Sequence, residues 1–221
     1  MTKVKRNETN KFSKEKQVLE EYLSVLYNKS FDQRVLETKP KEDSFLEVSV
    51  SQGKFLELLV RLKNPKQVLE VGAFRGFSGY FLSRYLKDDA HFFSIERDER
   101  RFEEIESLWK KMKLKHKTTL LKGDALTLLK KLKKEKKTFD LFFIDARKRD
   151  TKDYFSLCYS LASSGAVIVV DNTLWGGEVA GEEVTNNAVL AMKEFNAFVM
   201  KKYKNNSYII PAWDGMTVVI K

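Results

Sequence analysis

Two apolar stretches of the sequence each end in acidic or amide side chains. Residues 141–144 are followed by Asp145, and residues 166–170 by Asp171 and Asn172. If both stretches are neighbouring parallel strands, their carboxyl ends meet at one edge of a sheet and the three side chains converge. Crowded carboxylates repel one another, and a hard divalent cation such as Mg²⁺, which prefers oxygen ligands, relieves that repulsion. The pattern predicts a cation site, with helix capping by the two aspartates as the structural alternative.

Lys148 follows Asp145 by three residues and would stand beside this cation. A nearby positive charge and partial burial favour the neutral amine, which can take a proton as a general base. The cation would at the same time acidify a bound hydroxyl. An ordinary surface lysine, among 41 lysines and arginines, is the alternative.

Strand and helix patterns alternate along the chain and would position these residues. The apolar runs at residues 67–71, 91–95, 118–121, 139–144 and 166–170 are continuous, which is typical of parallel strands covered on both faces. Residues 206–221 predict an antiparallel hairpin that turns at Pro211, Asp214 and Gly215. Amphipathic helices are predicted at residues 15–27 and 51–63, the second with Ser51 as its cap.

These elements predict an α/β fold, a Rossmann-like, doubly wound, mostly parallel seven-stranded sheet with an antiparallel C-terminal edge hairpin. We expect residues 1–14 to form a polar tail and residues 15–221 a single domain, because 221 residues that are 43% apolar suffice for one core. No apolar run approaches the roughly 20 residues of a membrane-spanning helix, and the first residues lack an apolar signal region. A cytoplasmic protein without membrane partners is therefore expected.

A glycine-rich loop, LEVGAFRGFSG, follows the first predicted strand. Gly72, Gly76 and Gly79 are spaced G-x-x-x-G-x-x-G, which differs from the G-x-G-x-x-G dinucleotide fingerprint. Glu96 ends the next strand, at a position where an acid commonly holds ribose hydroxyls. Loop and acid together indicate a nucleoside ligand without a pyrophosphate. A tight turn and a surface glutamate are the structural alternative.

The charge of the chain is strongly positive, +10 in total. Residues 110–137 hold 12 lysines against two acids. Solvated helix faces explain such a segment, since the apolar residues around it recur at helical spacing. A surface that binds phosphate groups is the sharper alternative.

Taken together, the motifs resemble the cation-dependent class I O-methyltransferases that use S-adenosylmethionine, including catechol and caffeoyl-CoA O-methyltransferases. The resemblance covers roughly residues 45–221 and follows the family's motif order. It rests on VSVSQGKFLELLV, VLEVGAFRGFSGYFLS, SIERDE, LFFIDARK, VIVVDNTLWGGEV, MKEFN and DGMTVVIK. The pair FIDAxK and VVDNxLWxG is its most specific part.

The resemblance implies a role for individual residues. Asp145, Asp171 and Asn172 match the metal ligands, and Lys148 matches the catalytic lysine, which acts beside Asp145. The residues that match the cofactor site are Val48, Glu70, Gly72, Phe74, Ser78, Glu96, Arg97, Asp124, Ala125 and Asp145.

Four of these positions carry a more detailed expectation from the resemblance. Ser78 would lie near the methionine carboxylate and Glu96 at the ribose, while Asp124 and Ala125 would line the adenine. One position departs from the family, because Arg147 stands where many members have an acid. An added cation beside the pocket would favour anionic acceptors.

The implied reaction moves the methyl of S-adenosylmethionine to a hydroxyl of a catechol-like or hydroxycinnamoyl-type small molecule. Mg²⁺, or another divalent cation such as Mn²⁺ or Ca²⁺, is the implied second cofactor. Trp175 and Trp213 are candidate walls for a planar aromatic acceptor. The alternative is a tRNA methyltransferase acting on the 5-hydroxyl of wobble uridine, which the lysine-rich segment would favour. By analogy with the family, a homodimer is expected.

Overall fold

The computed structural model describes residues 18–27, 47–182, 184 and 186–221, so the predicted tail at residues 1–14 lies outside the described part. A seven-stranded sheet of order β3-β2-β1-β4-β5-β7-β6 forms its centre. The first five strands run parallel, and β7 pairs antiparallel with both β5 and β6. The strands are β1 (Gln67–Val71), β2 (His91–Glu96), β3 (Lys117–Lys122), β4 (Phe139–Ile144), β5 (Ala162–Asp171), β6 (Ser207–Ile210) and β7 (Met216–Ile220). The predicted doubly wound sheet with its antiparallel hairpin is confirmed.

Helices cover both faces of the sheet. Successive sheet residues belong to different cores, since Val68 packs with residues of α1, α2 and α3 and Leu69 with residues of α4, α5 and α6. This double burial explains why the strands read as continuous apolar runs. The helices are α1 (Val50–Lys63), α2 (Phe77–Ser83), α3 (Glu99–Met112), α4 (Ala125–Lys134), α5 (Thr151–Leu161) and α6 (Asn187–Tyr203). Residues 18–27 are also helical.

None of the helices in the described ranges combines the length and the apolar character needed to cross a bilayer.

The start of α1 differs from the prediction, because Ser49 rather than Ser51 caps this helix. The backbone N–H of Gln52 donates to Ser49 Oγ at 3.2 Å, and the N–H of Ser49 donates to Gln52 Oε1 at 2.8 Å. This reciprocal capping box satisfies two backbone donors that the first helical turn leaves free. The Ser51 hydroxyl instead bonds to Glu20 and Trp213.

The neighbouring strands β1 and β4 form the point at which the strand order reverses, so the loops after them diverge and leave a crevice. The two strand ends are joined closely, because the N–H of Asp145 donates to the carbonyl of Val71 at 2.9 Å. Gly72 follows with φ +94°, and a Cβ there would lie 2.1 Å from the carbonyl oxygen of Asp145. Only glycine fits this contact.

A second tight contact, between α1 and α2, gives a prediction about stability. A Cβ on Gly53 would lie 2.3 Å from two ring atoms of Phe81, which is fully buried. Gly53→Ala gains about 1 kcal/mol of helix propensity. We nevertheless expect a net loss of about 1–3 kcal/mol in the free energy of unfolding, measured in urea, because the ring must move in a packed core.

Phe81→Leu supplies the control for this prediction. The smaller side chain makes room for the new methyl group, so the double variant is expected to lose less stability than the two single variants combined. A Gly53→Ala variant more stable than the parent would show that the Phe81 ring accommodates the methyl group without cost, contrary to this prediction.

Candidate active site

The carboxyl edge of the parallel strands opens into a cavity of about 740 Å³, within the range of small-molecule sites. All of the residues predicted to bind the cation, act in catalysis or hold the cofactor line it, except Glu70 and Ser78. The predicted residues on its wall are Val48, Gly72, Phe74, Glu96, Arg97, Asp124, Ala125, Asp145, Lys148, Asp171 and Asn172. The fold thus gathers residues that are up to 124 positions apart in the chain around one space.

Glu70 and Ser78 lie beneath the glycine loop rather than on the cavity wall. The Ser78 hydroxyl donates to Glu70 Oε1 at 2.6 Å, and the Ser94 hydroxyl donates to Oε2 at 2.5 Å. Glu70 is fully buried, and this desolvation raises its pKa to about 7 although both serines lower it. In this arrangement the Ser78 hydroxyl serves Glu70, so its predicted contact with the methionine carboxylate stays a prediction.

Glu96, at the end of β2, is fixed by the loops around it. Its Oε2 accepts the backbone N–H of Phe74 at 2.8 Å, and its Oε1 accepts those of Arg97 and Asp98, both at 2.8 Å. The carboxylate therefore holds the glycine loop and the start of α3 in place while facing the cavity. Such a preorganised acid can accept a hydrogen bond from a ribose hydroxyl through the remaining lone pair on Oε2.

Asp124 and Arg147 form the wall near α4. The Asp124 carboxylate caps α4 by accepting the N–H of Thr127 at 3.1 Å, and this hydrogen bond is the main reason that its pKa lies below 3.8. Arg147 Nη2 lies 3.4 Å from Asp124 and 3.0 Å from Asp150. Two carboxylates therefore compensate the guanidinium in this structure, and the expected preference for anionic acceptors stays a prediction.

Lys148 lies at the centre of the predicted catalytic group. Its Nζ donates to Asp145 Oδ1 at 2.5 Å and to Asn172 Oδ1 at 2.6 Å. Asn172 has φ +58°, a left-handed conformation that asparagine tolerates better than most residues. This backbone turn directly after β5 brings the amide oxygen to face the residues that follow β4.

Asp171 is the most deeply buried of the three predicted metal ligands, at 2% exposure. Burial and then the charge of Asp145 raise its pKa well above the ordinary value of 3.8. Its Oδ1 accepts the N–H of Asn172 at 2.7 Å and the side-chain amide of Gln52 at 3.2 Å. A carboxylate kept in this environment is stabilised by an additional cation.

The donor set fits a divalent cation. Two carboxylates and one amide are hard oxygen ligands, and the ammonium of Lys148 already lies between two of the three oxygens. Among the described residues, no group of three or more His, Cys, Asp or Glu side chains lies close enough to hold a metal. The candidate site therefore depends on the amide of Asn172 as its third ligand.

The cavity also includes residues that sequence reasoning missed. Gln52, Arg101, Tyr154 and Asp214 lie on its wall. The capping-box spacing S-x-x-Q could have drawn attention to Gln52. The guanidinium of Arg101 lies 4.1 Å above the ring of Phe74, a contact that only the tertiary fold creates.

The two candidate tryptophan walls have different surroundings. Trp175 lines the cavity. Trp213 is not part of its wall, because its ring packs 5.6 Å from that of Phe55 and its indole N–H donates to Ser51 Oγ. Of the two tryptophans, Trp175 alone borders the cavity.

The lysines of residues 110–137 lie mainly at the opposite edge of the sheet. They lie in the C-terminal halves of α3 and α4 and at, or shortly before, the starts of β3 and β4. These parts of the fold are at the amino edge of the parallel strands. Lys122, at the end of β3, is the exception, and it pairs with Glu99. The cavity is at the carboxyl edge, so this lysine surface does not border it.

Known proteins share both the sequence and the fold. A model of the O-methyltransferase family matches residues 21–221. A catechol O-methyltransferase from Niastella koreensis is 30% identical over 181 residues, covering 79% of this chain and 82% of that protein. A caffeoyl-CoA O-methyltransferase from Populus kitakamiensis is 30% identical over 183 residues, covering 79% of this chain and 78% of that protein.

Two solved structures extend the comparison to the cofactor. The O-methyltransferase TomG from Streptomyces achromogenes, in complex with SAM, has a TM-score of 0.81 and 29% identity, covering 92% of this chain and 95% of that chain. An O-methyltransferase from Bacillus cereus, in complex with SAH, has a TM-score of 0.80 and 26% identity, covering 92% of this chain and 97% of that chain.

Fold and site together define a methyltransferase that uses S-adenosylmethionine. More closely, the chain belongs to the O-methyltransferase family, and it is an enzyme that transfers the methyl group of S-adenosylmethionine to oxygen. The family resemblance found in the motifs is confirmed.

The buried Glu70 predicts how stability depends on pH. Its folded-state pKa of about 7 lies above the ordinary value of 4.5. Between these pH values the folded state holds a proton that the unfolded state has released, so stability falls as pH rises through this window. Relative to Glu70→Gln, which carries no charge at any pH, the parent is expected to lose about 3 kcal/mol between pH 4.5 and 8.

Urea unfolding of both proteins at several pH values in this range measures the difference. The comparison with Glu70→Gln removes the contributions of all other titrating groups, including Asp171. A stability difference that stays constant across the window would contradict a protonated Glu70.

Proposed function

We propose that the enzyme is a divalent-cation-dependent O-methyltransferase that methylates a hydroxyl of a catechol-like or hydroxycinnamoyl-type small molecule. The observation that carries this proposal is the position of Lys148 Nζ, within 2.6 Å of oxygens of both Asp145 and Asn172. Lys148, Asp145 and Asn172 border the same cavity as the glycine loop and Glu96. The residues proposed as base, cation ligands and cofactor site therefore border one cavity.

In this proposal, Asp145, Asp171 and Asn172 hold Mg²⁺ or another divalent cation such as Mn²⁺ or Ca²⁺. Gly72, Phe74 and the residues after β2 and β3 would hold the cofactor. When bound, S-adenosylmethionine supplies an electrophilic methyl group, and the cation supplies a more acidic acceptor hydroxyl.

The chain's own residues contribute position and proton transfer. Glu96 would orient the cofactor through its ribose, and Lys148 would take the hydroxyl proton at Nζ. The acceptor oxygen would then receive the methyl group, and the cofactor's sulfur would keep the electron pair of the broken carbon–sulfur bond. Correct alignment of the two reactants can contribute about 7–11 kcal/mol to lowering the barrier. The walls of the crevice keep the reactants in that alignment.

Three observations support a small aromatic acceptor over tRNA. The named relatives are catechol and caffeoyl-CoA O-methyltransferases, and Trp175 offers an aromatic wall. The lysine surface, which would hold nucleic acid phosphates, lies at the other edge of the sheet. A polyanion bound there would contact a surface away from the cavity.

A homodimer and a cytoplasmic location stay part of the proposal. Support for a dimer comes from the helical residues 18–27, where Val18, Tyr22 and Val25 are 59–72% exposed. Apolar side chains grouped on one segment are typical of an interaction surface.

Removal of the cation and of the base tests the mechanism. Methyl transfer from labelled S-adenosylmethionine to catechol is expected to stop with EDTA and to return with excess Mg²⁺. Lys148→Met is expected to lower turnover by about 10²–10⁴-fold because the base is lost, while the dissociation constant of the cofactor stays within about twofold.

Arg149→Met provides the matched control, because it removes a neighbouring cation that is 71% exposed. Its turnover is expected to equal that of the parent. Methyl transfer that persists in EDTA would contradict the dependence on a cation. Normal turnover in Lys148→Met would contradict the role of Lys148 as the base.

The choice of acceptor is tested separately. The enzyme is expected to methylate a simple catechol and to leave a tRNA transcript carrying 5-hydroxyuridine unmethylated. Reversing charges on the lysine surface, with Lys133→Glu and Lys137→Glu, is expected to leave catechol turnover unchanged, because these residues lie away from the cavity. If the parent methylates the tRNA and the double variant does not, the result would support tRNA as the acceptor.

A further inference from the structure

Gln52 connects two parts of the site that are distant in sequence. It occupies the first turn of α1, where its Oε1 accepts the N–H of Ser49 at 2.8 Å. Val48, on the cavity wall, directly precedes that cap. One end of the Gln52 amide is therefore committed to holding the start of α1.

The other end of the same amide reaches Asp171. Gln52 Nε2 donates to Asp171 Oδ1 at 3.2 Å and to Oδ2 at 3.4 Å, across 119 positions of the chain. Both side chains are buried, at 7% and 2% exposure. The amide thus contacts both carboxylate oxygens from one side, while its own oxygen is held by the backbone N–H of Ser49.

The charges around Asp171 explain why an uncharged hydrogen-bond donor suits the position beside it. Asp145 and Asp214 both add negative charge around Asp171, whereas Lys148 adds positive charge. A second cation beside Asp171 would compete with a divalent cation for the carboxylate, and a further carboxylate would add repulsion. A neutral amide supplies hydrogen bonds and leaves the charge of the site unchanged.

We propose that Gln52 is a positioning residue for the cation site: it orients the Asp171 carboxylate from the capped start of α1. This inference rests on the proposed function. Hydrogen bonds to a ligating carboxylate fix its rotamer before binding, and removing such a partner commonly weakens metal affinity about 10–100-fold. Gln52 acts through Asp171 and contacts no reacting atom.

The test is the affinity for Mn²⁺, measured by calorimetry on the full chain with neither cofactor nor acceptor present. Gln52→Met keeps the bulk of the side chain and removes the donor, and we expect its dissociation constant to rise at least tenfold. Gln52→Ala removes the same donor without new bulk and is expected to give the same rise, so the result does not depend on one variant folding well.

Ser49→Ala separates positioning from helix stability. This variant removes the hydroxyl of the capping box but leaves the amide of Gln52 beside Asp171. It is expected to lower the thermal unfolding midpoint while the Mn²⁺ dissociation constant stays within twofold. Weakened Mn²⁺ binding in Ser49→Ala equal to that in Gln52→Met would assign the effect to the helix end and overturn the proposal.

The remaining outcomes distinguish the two proposals. Parent protein that binds Mn²⁺, together with Gln52 variants that bind it equally well, overturns only the role of Gln52. Parent protein that does not bind Mn²⁺ overturns the cation site and, with it, the role of Gln52. Asp171→Ala, which removes a predicted ligand, marks the affinity expected when the site itself is lost.

Discussion

The burial of like charges at one edge of the sheet is the constraint on which the site depends. Carboxylates at the ends of β1, β2 and β5 are almost inaccessible to water, and Asp145 after β4 joins them. Each burial would be costly without a directed partner. The structure supplies a different partner in each case. Glu70 accepts from two hydroxyls and Glu96 from three backbone amides. Asp171 accepts from a side-chain amide and a backbone amide, and Asp145 from the ammonium of Lys148.

These partners belong to the elements around the edge, so the site and the fold stabilise one another. Glu96 holds the loop after β1 through Phe74, and Asp171 holds the start of α1 through Gln52. The contact of Gly72 with the carbonyl of Asp145 sets how closely the first and fourth strands end. A change at any of these points would move a carboxylate together with a segment of the backbone. The acids at this edge therefore have a structural role, whatever chemistry the candidate site performs.

The sequence was sufficient to predict the layout of the sheet and the edge at which the candidate site residues gather. Continuous apolar runs identify parallel strands, and polar residues that follow such runs must converge at the carboxyl edge. Most predicted site residues consequently lie on one cavity. Motif spacing, however, gives only the position of a residue along the chain. It did not reveal that the Ser78 hydroxyl is directed at Glu70, because that depends on how α2 lies over β1.

The same limit explains the misplaced cap and the role of Arg147. Ser49 and Ser51 are equally good capping residues by type, and only the reciprocal bond with Gln52 distinguishes them. Arg147 suggests an added positive charge when the chain is read in order, yet Asp124 lies beside it only because α4 begins next to the end of β4. Net charge near a site therefore has to be counted after pairing. By that count, the mouth of this cavity has no surplus of positive charge from Arg147, and the many lysines at the opposite edge add none.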